Sequence, residues 1–290
     1  MTEVSRIVDC RNILGEGPLW DHGAGALYWV DIKGKKVLRH TPKTGRTEEW
    51  SLPEEVGSLA VRETGGLVVA LYGGFRFFDP ATGKLEKIKD VAPGNPQIRM
   101  NDGKPDRKGR FWAGSCDDKL TDPLGTFFRL DPDLGCHAMQ GSVICSNGTA
   151  FSPDDRTLYF ADSGQETIWA YDIDIESGRI SNQRVFSGPG EAPGVPDGAT
   201  VDAEGYLWSA RWGGWCVVRY DPKGRIDRRI DLPFQQPTCP AFGGDKLDVM
   251  YMTSARWRLS DAELAKQPFA GALCALDAGV SGLPEPYFKG

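Results

Sequence analysis

The sequence predicts an all-β fold, a six-bladed β-propeller spanning residues 1–290, and three observations carry that reading. Strand-like runs begin at residues 27, 67, 111, 158, 207 and 250, at intervals of 40, 44, 47, 49 and 43. Each interval has room for several short strands, and repeats of this length built from strands are the mark of a propeller; helical repeats of similar period would show apolar residues three and four apart. The third observation is a shared phase: Glu16, Asn101, Asn147 and Asp197 each lie ten or eleven residues before one of the runs.

The elements follow in order. Leu27-Tyr28-Trp29-Val30, led by Gly25, opens the series. Leu67-Val68-Val69-Ala70 is second, and Phe111-Trp112-Ala113, led by Gly109, is third. Leu158-Tyr159-Phe160-Ala161 follows Asp155, Leu207-Trp208-Ser209-Ala210 follows Gly205, and Met250-Tyr251-Met252 is the last. Runs this rich in aromatic and branched residues, bounded by turn formers, read as strands. Between them, Phe75–Asp79, Thr126–Asp131, Ile168–Asp172 and Val217–Asp221 end at Asp-Pro or Gly turns, as hairpins on outer strands do. No low-complexity linker or charge block interrupts the 36 glycines and 20 prolines, so one domain is expected.

The formal net charge of −6 is spread over both signs, and no basic cluster faces an aromatic stripe. Nucleic acid and anionic membranes are therefore not expected partners; a small neutral or weakly charged ligand is. There is no apolar run near 18 residues and no secretory leader, so a cytoplasmic location is expected. Seven scattered cysteines without a C-x-x-C pair argue against a disulfide framework or a zinc cluster.

The first strand of a propeller blade lines the central channel, so Glu16, Asn101, Asn147 and Asp197 are expected to converge at one end of it. Taken singly, Asn147-Gly148 and Asp197-Gly198 would mark ordinary tight turns. Four in phase form a hard oxygen site of two carboxylates and two amides, suited to Ca²⁺, Mg²⁺ or Mn²⁺ and less typical of Zn²⁺. Several other motifs fail. Residues 172–183 resemble an EF-hand loop with glycine one place late and Gln183 where glutamate is required. The glycine-rich stretch 188–194 leads toward a strand instead of the helix that a phosphate cradle needs. No G-x-S-x-G elbow is present, which disfavours a serine hydrolase.

Leu14-Gly15-Glu16-Gly17-Pro18, Arg99-Met100-Asn101-Asp102-Gly103-Lys104, Ser146-Asn147-Gly148 and Pro196-Asp197-Gly198, in this order, resemble the gluconolactonase/regucalcin family, also called senescence marker proteins. The segment from Thr253 to Gly271 is similar to bacterial sugar lactonases. The resemblance implies hydrolysis of a sugar lactone to the aldonic acid and one divalent cation, with Ca²⁺, Zn²⁺, Mn²⁺, Mg²⁺ and Fe(II) left open. It implies Glu16, Asn147 and Asp197 as metal ligands, and Arg99 and Asn101 as contacts to the hydroxyl-bearing substrate. One departure stands out: Cys116-Asp117-Asp118-Lys119 occupies a loop where animal members carry the acidic substrate contact.

The residues also support chemistry of their own. Asp197 is the candidate general base, Arg99 can bind a ring hydroxyl or an oxyanion, and Asn101 can both donate and accept hydrogen bonds. The competing reading of Arg99 is a structural salt bridge. Trp212, expected after the fifth inner strand, is a candidate platform for a sugar face, against the alternative that it fills a blade core; Arg211 beside it has no assigned role. A metal-dependent hydrolase of aryl esters or phosphotriesters, and a cation-binding propeller without catalysis, remain alternatives.

Overall fold

A computed structural model describes residues 3–290 and contains six four-stranded antiparallel sheets. The innermost strands are Gly15–Asp21, Val56–Val61, Ile98–Pro105, Ser146–Phe151, Val195–Val201 and Pro237–Gly243, which define blades 1 to 6. They pack on one another in a closed cycle, with blade 6 against blade 1. This is the six-bladed propeller that the spacing predicts.

The six aromatic and aliphatic runs are the second strands: Ala26–Asp31, Leu67–Leu71, Phe111–Asp117, Thr157–Asp162, Leu207–Trp212 and Val249–Ser254. All but a few of their residues are buried, because each second strand is covered on both faces by neighbouring blades. Trp29, Trp112 and Trp208 are fully buried there. The indole N–H groups of Trp112 and Trp208 each donate to an aspartate six residues earlier, Asp106 and Asp202, both at 2.9 Å. Each aspartate also accepts backbone N–H groups of the turn between first and second strand. The residues that lead the runs are turn formers for a geometric reason: Gly25, Asp155, Gly109 and Gly205 have φ of 59°, 58°, 81° and 86°.

Blade 6 is closed by the other end of the chain. Its outer strand is Val4–Val8, paired with Leu273–Asp277, so the ring is fastened by hydrogen bonds between residues far apart in sequence. Closure leaves no blade of the ring unpaired with its neighbours.

Every first strand carries one extra residue at the same level. Glu16 pairs with Val30 and Leu19 with Tyr28; Asn147 pairs with Ala161 and Ala150 with Tyr159; Pro196 pairs with Arg211 and Ala199 with Ser209. The same slip occurs after Val56, Met100 and Pro237. Asn147-Gly148 and Asp197-Gly198 are therefore β-bulges in channel-lining strands, not turns. A bulge bends its strand and re-aims the side chains beside it, and here six of them do so at one level of the ring.

Glycine at the bulge lets adjacent blades touch. A Cβ on Gly57 would lie 2.5 Å from the Asn101 carbonyl oxygen and 2.6 Å from that of Met100, both backbone atoms that cannot step aside. Gly57→Ala should therefore cost at least about 1–3 kcal/mol as overpacking. Gly73, which has nothing within 4 Å of its would-be Cβ, is the matched control, and its alanine variant should keep the urea midpoint that Gly57→Ala loses.

Candidate active site

The bulges bring the sequence-predicted residues together. Glu16, Arg99, Asn101, Asn147, Asp197 and Trp212 all line one cavity of about 260 Å³ at one end of the channel. Leu14, Leu120, Cys145, Ser163, Gln236, Trp257 and Arg258 are also part of its wall. At the opposite end the C-terminal segment folds over the channel. Lys104 is paired there with Glu285 at 3.0 Å, and only about 30 Å³ of space remains beside them.

At the floor lie two carboxyls that have little access to water. Glu16 and Asp197 are each 5 % exposed. Burial first, then the charges of Asp197 and Asp102, push the Glu16 carboxyl well above its usual range. Burial and the charge of Asp102 do the same to Asp197. The Gly17 N–H donates to Glu16 Oε2 at 2.9 Å, which is little compensation for two buried acids facing each other. Asp102, one place beyond Asn101 and buried, accepts the Thr149 N–H at 3.0 Å.

The amides are held in fixed orientations. Asn147 Nδ2 donates to Ser163 Oγ at 2.8 Å, and Ser163 Oγ in turn donates to the Pro196 carbonyl at 2.5 Å. This chain leaves Asn147 Oδ1 to accept from Asn101 Nδ2 at 3.0 Å. Asn101 Nδ2 also reaches the Ser146 carbonyl at 2.8 Å, while its Oδ1 accepts from an Arg99 terminal nitrogen at 2.6 Å.

Arg99 is 2 % exposed, and its Nε lies 3.2 Å from Asp118 Oδ1 without the alignment of a hydrogen bond. Arg99 thus has a salt-bridge partner and also borders the cavity. Asp118 is held from the other side by Lys33 Nζ at 3.0 Å, which also grips Glu55 at 2.9 Å. Asp117 behaves differently. It turns inward, 1 % exposed, and accepts from the N–H groups of Thr121 and Asp122 and from the Thr121 hydroxyl. Of the departing loop, Asp118 meets Arg99 at the mouth and Asp117 shapes the turn that presents Leu120.

Two positions differ from the sequence expectation. Trp212 ends the second strand of blade 5, not its innermost strand, and from there its ring meets Trp257 edge-on at 6.4 Å. Likewise Cys116 and Asp117 end the second strand of blade 3, and Asp118 and Lys119 follow it. Arg211, left without a role, is a structural residue: its guanidinium donates to the carbonyls of Ala192, Pro193 and Gly194 and so ties down the glycine-rich loop.

Sequence reasoning missed Ser163, Gln236, Trp257 and Arg258. Ser163 sits in a short 3-10 turn with no repeat counterpart, and Trp257 and Arg258 belong to a blade 6 insertion that carries a short α-helix, Asp261–Leu264. Asp102 was within reach, since it adjoins a phased residue.

The donor set suits a hard cation. Glu16 and Asp197 supply two buried carboxylates that would be relieved of mutual repulsion, and Asn147 adds an amide oxygen with a free lone pair. Among the described residues no group of three Asp, Glu, His or Cys is placed to hold a metal, so the amide is needed to complete a protein triad.

Known proteins with this architecture are similar along nearly the whole chain. A 6-deoxy-6-sulfogluconolactonase of Pseudomonas putida is 37% identical over 285 residues, 98% of each chain. An L-arabinolactonase of Azospirillum brasilense is 36% identical, covering 99% of this chain and 96% of its own. The crystal structure of a calcium-binding protein, regucalcin, from Agrobacterium tumefaciens superposes with a TM-score of 0.93 at 29% identity, covering 99% of this chain and 97% of that one. No helix among the described residues is long and apolar enough to cross a membrane. With residues 14–256 matching the SMP-30/Gluconolactonase/LRE-like region, the chain belongs to that family.

Proposed function

We propose that this protein is a hydrolase of sugar lactones that uses one divalent cation held by Glu16, Asn147 and Asp197. The observation that carries the reading is the pairing of two buried carboxyls with polyol-matching donors and acceptors in one cavity. The names of the two similar lactonases support the substrate class. When bound, the cation supplies a Lewis acid for the lactone carbonyl and lowers the pKa of a water.

The chain's own residues do the rest. Arg99 and Asn101 form a fixed pair, with the guanidinium holding the amide, so both can meet ring hydroxyls without reorganising. Asp197 receives the proton of the attacking water at a carboxylate oxygen. Attack on the carbonyl carbon gives a tetrahedral species, and its collapse breaks the ring C–O bond. The proton then passes from Asp197 to the departing alkoxide, which becomes the hydroxyl of the aldonic acid. Trp212 and Trp257 form one wall, on which an apolar sugar face can rest.

Hydrolysis of aryl esters or phosphotriesters is the competing reading, and the substrate panel separates the two. kcat/KM should be highest for pentono- and hexonolactones and fall at least about a hundredfold for γ-butyrolactone and aryl acetates, which offer no ring hydroxyls to Arg99 and Asn101. A preference for the aryl ester or a phosphotriester would reject the sugar-lactone reading.

A further inference from the structure

Gln236 lies at the other side of the cavity from Arg99. It immediately precedes Pro237, which pairs with Ser254 just before the bulge of blade 6; Arg99 immediately precedes Met100, which pairs with Ser115 just before the bulge of blade 3. The two side chains therefore leave equivalent register positions on blades half a ring apart. Arg99 is engaged with Asn101 and Asp118. Gln236 is not engaged with anything: it is 7 % exposed, its Oε1 is buried without a partner, and its amide makes no side-chain hydrogen bond to any described residue. Its backbone carbonyl is used, accepting the Ala255 N–H at 3.0 Å, so the residue's placement is fixed while its amide is left over.

A buried amide oxygen without a partner is costly, and such an atom in a native protein needs an explanation. Packing alone would be served better by leucine or methionine. A primary amide offers one acceptor and two donors on one carbon, and rotation about its last torsion can present either atom to the neighbouring hydroxyls of a polyol. Trp257, two residues beyond Ala255, lines the cavity with it.

We propose that Gln236 is a specificity-determining residue that reads a pair of adjacent hydroxyls on the lactone, at the side of the ring opposite to Arg99 and Asn101. The inference rests on the sugar-lactone reading of the site and adds to it a second polar arm. With arms on two sides, the cavity would distinguish sugar lactones by hydroxyl configuration and not by ring size alone.

The test uses the full chain, the variants Gln236→Leu and Gln236→Met, and a polyhydroxylated δ-lactam, which copies the lactone ring and resists hydrolysis. Calorimetric titration should show affinity for the lactam falling about tenfold or more in both variants, with Tm unchanged or raised because the stranded amide is gone. A series of monodeoxy lactams localises the contact: removal of one particular hydroxyl should weaken binding to the wild type and leave Gln236→Leu indifferent. Variants that bind the full lactam within twofold of wild type, a loss of affinity matched by a fall in Tm, an equal response of wild type and variant to every deoxy lactam, or a wild type that binds no lactam would each overturn the assignment. Turnover of sugar lactones by the wild type is measured separately, so failure of the hydrolase reading is distinguishable from failure of Gln236 as its reader.

Discussion

Asp197→Asn should lower kcat for a sugar lactone by about a hundred- to ten-thousandfold, the range expected for loss of a general base. The substitution keeps the shape of the side chain, so the bulge at Gly198 and the packing against blade 6 should survive it. It removes the proton acceptor and one of two carboxylates that face each other in a buried space. Two consequences separate this from simple damage to the fold. Without added cation the variant should be more stable than wild type, because one buried charge has been deleted. With cation it should gain less stability than wild type, because one ligand charge is missing. A stable variant with near-wild-type turnover would remove Asp197 from the chemistry.

The second large effect concerns pH and cation together. Glu16 and Asp197 have folded-state pKa values raised by burial and by neighbouring acids. Above their unfolded values of about 4, the unfolded chain gives up these protons first, so the folded state binds more protons than the unfolded one. Stability of the chelated protein therefore falls as pH rises from about 4 until both carboxyls have ionised in the fold. A divalent cation offsets this loss by pairing with the ionised acids, so its stabilising effect should be larger at pH 8 than at pH 5.5. At a hundredfold excess over Kd the gain is about 2.7 kcal/mol, measurable as a shift in urea midpoint. Asp117 does not interfere: burial opposes its charge, but its hydrogen bonds from the 119–122 turn hold its pKa down to about 2, so its stabilising ionisation is lost only below pH 4. Equal cation effects at both pH values would show that the ion binds elsewhere.

The repeat was legible because propeller strands impose two constraints at once. Second strands buried on both faces select aromatic and β-branched runs, and the tight turn before them selects residues that tolerate positive φ, such as Gly109 and Gly205. Those signals recur, so spacing alone exposed six blades. The convergence of Glu16, Asn101, Asn147 and Asp197 was legible for the same reason, since each is fixed relative to its own second strand. That these positions are bulges was not, because Asn-Gly and Asp-Gly have the same local chemistry in a bulge as in a turn. Closure of blade 6 by Val4–Val8 was hidden too: the strand is short, only partly buried and stands outside the repeat. Gln236 escaped notice because its blade carries Thr238 where blade 3 carries the phased Asn101, and its importance lies in hydrogen bonds that are missing. Trp212, the candidate sugar platform, lines the cavity but ends a second strand where an inner strand was expected, because aromatic runs alone do not tell inner from second strands.

Hydrolysis of sugar lactones in this cavity is proposed to depend on one divalent cation bound by Glu16, Asn147 and Asp197. Its most direct test is proton release at constant pH from pentono- and hexonolactones by chelated protein to which single divalent ions are returned. The expected result is turnover near the spontaneous rate without cation, restored at one equivalent of bound ion per chain. Binding of that ion with no turnover above spontaneous hydrolysis, or full turnover in the chelated protein, would contradict it.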